Sequence, residues 1–355
     1  MQKSRVFWGS LLLLTVGLNL AARLVPGFAE WYAVQVYPII VGTLARLCSL
    51  VPFSVAEILL CVLLLLLLAG ILLVLARKLS VRKAAAVLAK AAVALCLMFT
   101  LNCGINYHRQ TFSERAGFEI QESSVEELTA LCEELVEELN AAAEDIQVDS
   151  EGYMMLKEDV EAEAVRAMQA AAEEYPELAG YYPRAKKLLS SRLMSYQQLQ
   201  GIYSPFTVEA NYNGDMPEQD KPSAICHELS HLKGFMREDE ANFIAYLACR
   251  ASGSAAFRYS GAMLAWIYSG NALYAQDPQS FREVRDGLCA QAIRDLEGHN
   301  AYWNSYEGAV AEVSDRINDT YLRANAQDDG TRSYGRMVDL LLAWNRERGV
   351  ENGTD

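Results

Sequence analysis

Histidine is scarce here, with four residues in a chain of 355. Any histidine pair in register therefore carries information. No Cys-x-x-Cys occurs among the eight cysteines, which excludes a zinc ribbon and a dithiol redox motif. Spacing leaves open whether Cys132, Cys226, Cys249 and Cys289 pair as disulfides. Positive charge is also short, with 31 Lys and Arg against 45 Asp and Glu. There is no internal repeat, and no low-complexity segment beyond a leucine run at 63–68. What is abundant is apolar surface: at 52% apolar the chain is no disordered polymer, and it is long enough for one large or two small domains.

The charge divides the chain. Residues 1–105 carry nine basic and two acidic side chains, and the remainder is left at −21. A domain so acidic repels a phosphate backbone, so nucleic acid is excluded as a partner. In the basic part, stretches at about 6–25, 53–76 and 84–105 are apolar and about 20 residues or more in length. That is the length of a helix crossing ~30 Å of hydrocarbon. Lys3 and Arg5 precede the first, and Arg77, Lys78, Arg82 and Lys83 fill the loop between the second and third. The positive-inside rule keeps both clusters cytoplasmic. The expected arrangement is a multi-pass protein of a bilayer, membrane domain 1–105, with residues 106–355 outside the cytoplasm. Reading residues 1–23 as a cleaved signal peptide leaves that side unchanged. The loop between Pro26 and Pro52 holds Trp31, Tyr32 and Tyr37 and is expected at the interface. His108, just after the third span, is expected there too.

The second part reads as mostly helical, with at most a short strand or small sheet. Ser124-Val-Glu-Glu127 is a capping box, and Leu128, Leu131, Leu135 and Leu139 follow at helical spacing. Helices are expected near 159–174, 185–199, 222–233, 238–250, 255–274, 278–297, 300–324 and 335–347. Phe206–Ala210 alternates and reads as a strand, before a turn at Asn213-Gly214.

Two of the four histidines form His227-Glu-Leu-Ser-His231. On a helix, residues four apart share a face, so His227 and His231 can hold one metal ion. Glu228 projects beside that ion, placed to take a proton from zinc-activated water and return it to a leaving amine. Pro222 suits the first turn of the helix and Gly234 its stop. Two imidazoles and a carboxylate suit Zn2+. The third ligand must lie downstream, in Arg237-Glu-Asp-Glu-Ala-Asn242. On a helical wheel Glu238, Ala241, Asn242, Ala245 and Cys249 share a narrow face, so Glu238 is the chosen ligand and Asn242 orients a histidine through its amide. Glu240, nearly opposite, is the alternative. The connector from His231 to Glu238 is short, and Gly234 must permit a sharp reversal. Donors for a tetrahedral oxyanion include Tyr334 by residue type, with Arg336, Tyr321 and His299 as others.

The HELSH motif followed by Glu238-Asp-Glu-Ala-Asn242 resembles the gluzincin group of metallopeptidases, and its E-x-x-A-N form that of ImmA/IrrE-type peptidases. Carried over, His227, His231 and Glu238 are metal ligands, Glu228 the base and Asn242 a supporting residue. The wider arrangement is similar to a bacterial family of membrane proteins, domain of unknown function 3810. The similarity is carried by Phe206-Thr-Val-Glu-Ala-Asn211, Cys226-His-Glu228, Glu240-Ala-Asn-Phe243 and Ser333-Tyr-Gly-Arg-Met-Val-Asp339. That resemblance implies a bacterial cell-membrane protein with a zincin-like domain, and names no substrate. Two functions are expected to compete. One is a membrane-anchored extracytoplasmic zinc metallopeptidase acting on a peptide or protein. The other is a non-catalytic sensor or scaffold with a structural or absent metal.

Overall fold

A computed structural model describes residues 2–352. The chain is mainly helical and divides into two compact units. One takes in residues up to Arg109 together with Ser204–Glu209, the other Gln110–Tyr203 and Ala210 onward.

In the first unit, α1 (Gln2–Leu24), α2 (Val55–Leu75) and α3 (Val81–Phe99) form from the three apolar stretches. The chain continues helically beyond α3 to His108, and all three segments are long and apolar enough to cross a membrane. α2 buries none of its side chains within the protein, as expected of a helix whose solvent is lipid. The expected loop between Pro26 and Pro52 is instead helical over 28–48, in short α- and π-helical pieces. Its buried face is Ala29, Tyr32, Ala33, Tyr37, Val41 and Ala45, at spacings of three and four. The Tyr32 hydroxyl donates to the Leu101 carbonyl at 2.9 Å. Ser54 caps α2 through the Glu57 N–H, and the Glu209 carboxylate accepts the Val55 and Ala56 N–H groups at 3.2 and 2.8 Å. Those are the orphan donors of a helix start, where negative charge is favoured.

The second unit opens with α4 (Val125–Ala143), started by the Ser124–Glu127 capping box, and α5 (Val160–Glu174), capped by Asp159. β1 (Lys186–Lys187), β2 (Gly201–Ser204) and β3 (Glu209–Tyr212) form a three-stranded sheet in the order β1-β3-β2. β1 runs parallel to β3, Lys186 opposite Asn211 and Lys187 opposite Tyr212. Then come α6 (Lys221–Leu232), α7 (Glu238–Ala251), α8 (Ala255–Gln276), α9 (Pro278–Arg285), α10 (Ala290–Asn304), α11 (Ala309–Ala324) and α12 (Met337–Asn352). α8 packs along α4, and α7 packs on α6, α8 and α5. The core beneath α7 is aromatic: Phe112 meets Phe235 at 5.4 Å and Phe243 at 5.9 Å between centroids, and Phe243 meets Trp344 at 6.3 Å.

Four expectations differ. The helix expected over 185–199 is a strand followed by a short helix, Ser191–Tyr196, because Leu188 donates its N–H to Tyr212 and the chain joins the sheet. The strand expected at Phe206–Ala210 begins only at Glu209. Residues 205–208 turn the hairpin, with Val208 at φ +52° and Thr207 Oγ1 donating to Ser204 Oγ. The helix expected over 278–297 breaks between α9 and α10. That over 300–324 breaks before α11, at Gly308 with φ +148°.

Candidate metal centre

α6 and α7 are joined by five residues, and Gly234 at φ +96° makes the reversal that the short connector demands. Phe235, fully buried among the aromatics, pins the turn. α7 starts with Glu238, Asp239 and Glu240 in its first turn, where the helix dipole favours acids, and the Glu238 N–H is taken by Gln327 Oε1 at 3.3 Å.

This antiparallel pair brings His227, His231 and Glu238 together, their ligating atoms all within 4.8 Å of one another. The imidazole centroids are 4.6 Å apart and the rings nearly perpendicular. Glu238 Oε2 lies 3.1 Å from His227 Nε2 and 3.5 Å from His231 Nε2. A tetrahedral ion with bonds of about 2.0 Å has ligand-to-ligand edges of about 3.3 Å, so the donor set and its spacing fit zinc. Both rings are tethered by the other nitrogen. His227 Nδ1–H donates to Asn242 Oδ1 at 2.7 Å and His231 Nδ1–H to the Phe235 carbonyl at 2.8 Å. In the neutral imidazole each tether puts the ring proton on Nδ1, so Nε2, facing Glu238, is the nitrogen that could ligate a cation. Glu240 is turned away: its carboxylate accepts the Phe112 N–H at 2.9 Å.

The electrostatics follow from burial and proximity. Burial opposes charge on Glu238, yet the two imidazoles hold its carboxyl well below the usual range. Burial likewise works against protonated His231, and the Glu238 carboxylate outweighs it, lifting the imidazole to about 9. Glu228 is pushed up to about 7 by burial, against the pull of both imidazoles. Its Oε2 is buried with no hydrogen-bond partner among the described residues. Gly201, at the start of edge strand β2, sits so close that a Cβ there would lie 2.5 Å from Glu228 Oε1.

His227 and Glu228 line a cavity of about 540 Å³ with Gln200, Gly201, His299 and Tyr334. The Tyr334 ring stacks on His227 at 6.5 Å, and Asn318 Nδ2 donates to its hydroxyl at 3.4 Å. Burial raises that phenol well above its ordinary value, so it is a neutral donor. Arg336 lies outside the cavity, paired with Asp239 and Asp329, and Tyr321 does not line it. His108 ends the 3₁₀ turn Ile105–His108 in the other unit. Sequence reasoning passed over Tyr268 of α8, which lines the cavity beside Asn242 and whose hydroxyl burial lifts to about 12. It also passed over the contact of Gly201 with Glu228. Neither has a local signal, since each depends on a distant segment.

Comparison with curated proteins and with solved structures finds no match. A family model described as "Protein of unknown function (DUF3810)" does match, over residues 32–342, and the chain, with its apolar helices and its His-His-Glu centre, belongs to that family.

Proposed function

We propose that this protein is a membrane-anchored zinc metallopeptidase of gluzincin type, with its zincin-like catalytic domain, residues 106–355, outside the cytoplasm. The observation that carries the reading is Glu228, a buried carboxyl with one unpartnered oxygen beside a three-ligand centre, facing a cavity. His227, His231 and Glu238 would hold the ion, and Asn242 and the Phe235 carbonyl keep the imidazoles oriented. When bound, zinc supplies a Lewis acid and lowers the pKa of water. Glu228 accepts the proton of the attacking water and hands it to the leaving amine; a carboxyl near neutrality suits both halves of that transfer. Tyr334, neutral and beside His227, is the candidate donor to the developing oxyanion. Strand β2 is an edge of the small sheet, and Gly201 at its start lines the cavity, beside which an extended peptide would lie. The extracytoplasmic placement is supported by Lys3, Arg5, Arg77, Lys78, Arg82 and Lys83, which the positive-inside rule keeps in the cytoplasm.

Zinc content and peptide hydrolysis of the purified full chain test the reading. Glu228→Gln should keep its zinc and lose about 10²–10⁴-fold in turnover. Undiminished turnover in the variant removes Glu228 from the chemistry.

A further inference from the structure

The cavity beside the metal centre has a charge pattern of its own. Among the described residues lining it there is no lysine or arginine. Besides His227 and Glu228, its ionisable lining groups are Asp315 of α11, His299 of α10 and the tyrosines Tyr268 and Tyr334, whose phenols burial keeps neutral. Asp315 is exposed and enters no ion pair among the described residues. His299 is tied from behind. Its Nδ1 lies 3.0 and 2.9 Å from the two oxygens of buried Asp220, which also accepts the Trp303 indole N–H at 3.1 Å. That tether places the ring proton on Nδ1 and leaves Nε2 as an acceptor in the neutral imidazole. Asp315 is thus the carboxylate of the lining outside the His-His-Glu cluster and Glu228, and no cationic side chain of the lining offsets it. The buried, unpartnered Glu228 Oε2 marks the same cavity as built for a ligand.

We infer that the cavity selects its substrate by an alkylammonium group, with Asp315 as counter-charge and His299 Nε2 as hydrogen-bond acceptor. The ammonium is either the free amino terminus of a peptide or a lysine side chain. The net −21 of residues 106–355 favours the approach of such a cation. Asp220 is a positioning residue, acting through the imidazole it holds. The fate of the ligand, though not its binding, rests on the hydrolase reading above.

Calorimetry on the detergent-solubilised, zinc-loaded full chain tests this, in the Glu228→Gln background so that no peptide is consumed. The probes are tetra-alanine amide with a free or an acetylated amino terminus, and N-acetylated Ala-Lys-Ala-Ala amide with its norleucine counterpart. At least one charged peptide should bind roughly five- to ten-fold tighter than its uncharged partner. Adding Asp315→Asn, an exposed change, should erase that difference and leave the uncharged peptide's affinity unmoved; His299→Gln should do the same. The inference is overturned if charged and uncharged peptides bind alike, if none binds, or if the preference survives Asp315→Asn. The free-amine and lysine arms identify the source of the ammonium. Charge selection without zinc-dependent hydrolysis by the wild type would remove the hydrolase reading alone. Hydrolysis of all four peptides with equal kcat/KM would remove this inference alone.

Discussion

Gly201 shows how little space the candidate site leaves around the Glu228 carboxyl. A methyl group there meets Oε1, Cγ and Cδ of Glu228 within 2.8 Å, so one of them must move. Displacing a reacting group by about 1 Å costs roughly a hundredfold in rate. Gly201→Ala is therefore expected to lose about that factor in kcat while zinc content stays at the wild-type level, read by metal analysis alongside turnover. Loss of zinc together with activity would instead mean that the substitution disrupts α6. The histidine pair was legible in the sequence because two of four histidines stand one turn apart. The preference for Glu238 over Glu240 was legible from the wheel, since small residues share its face. The tethers behind the rings were legible only for Asn242, which rides on the same helix as Glu238. The Phe235 carbonyl, Gln327 and Gly201 have no side-chain pattern that announces them.

Individual helices stand or fall by their ends. Glu127 closes the capping box of α4 and pairs with Arg346 of α12 at 2.8 Å. The Arg346 guanidinium, and then the Ser124 N–H, hold its carboxyl down at about 2. A depressed carboxyl stabilises the fold above its ordinary value of 4.5, and that contribution fades as pH falls through 4.5 toward 2. Glu127→Gln should accordingly lower Tm at neutral pH, with the gap to wild type closing on acidification through that window. A gap independent of pH would show that the carboxylate charge does not matter there. Elements with strong local signals were legible: the apolar helices by length, α4 by its box, and α6 by Pro222 and Gly234. The small sheet was misread because β1 is a strand only through its partner, two lysines pairing with Asn211 and Tyr212 more than twenty residues on. A hairpin turn at 205–208, carrying a left-handed valine, defeats alternation as a guide.

At the scale of the molecule, the chain alternates between the two units. The chain passes between them after Arg109, again after Tyr203 and again after Glu209. Hairpin residues 204–209 count with the apolar helices, where Glu209 takes two N–H groups of α2 and the Pro205 carbonyl takes the Asn102 amide at 2.6 Å. The stem of the same hairpin, up to Tyr203, counts with the His-His-Glu cluster, Gly201 lying against Glu228. A truncated chain beginning at Gln110 would remove the Val55 and Ala56 N–H groups held by Glu209 and the Asn102 amide held by the Pro205 carbonyl, leaving the hairpin tip without these tethers. Such a fragment is expected to melt at lower temperature than the full chain and to bind zinc more weakly, measured by calorimetry and metal analysis. Equal stability would show that the hairpin tip is dispensable. A graft exchanging the apolar helical unit for that of an unrelated protein must therefore carry six residues from the middle of the other unit with it, which makes this an architecture that evolution can tune but not readily shuffle.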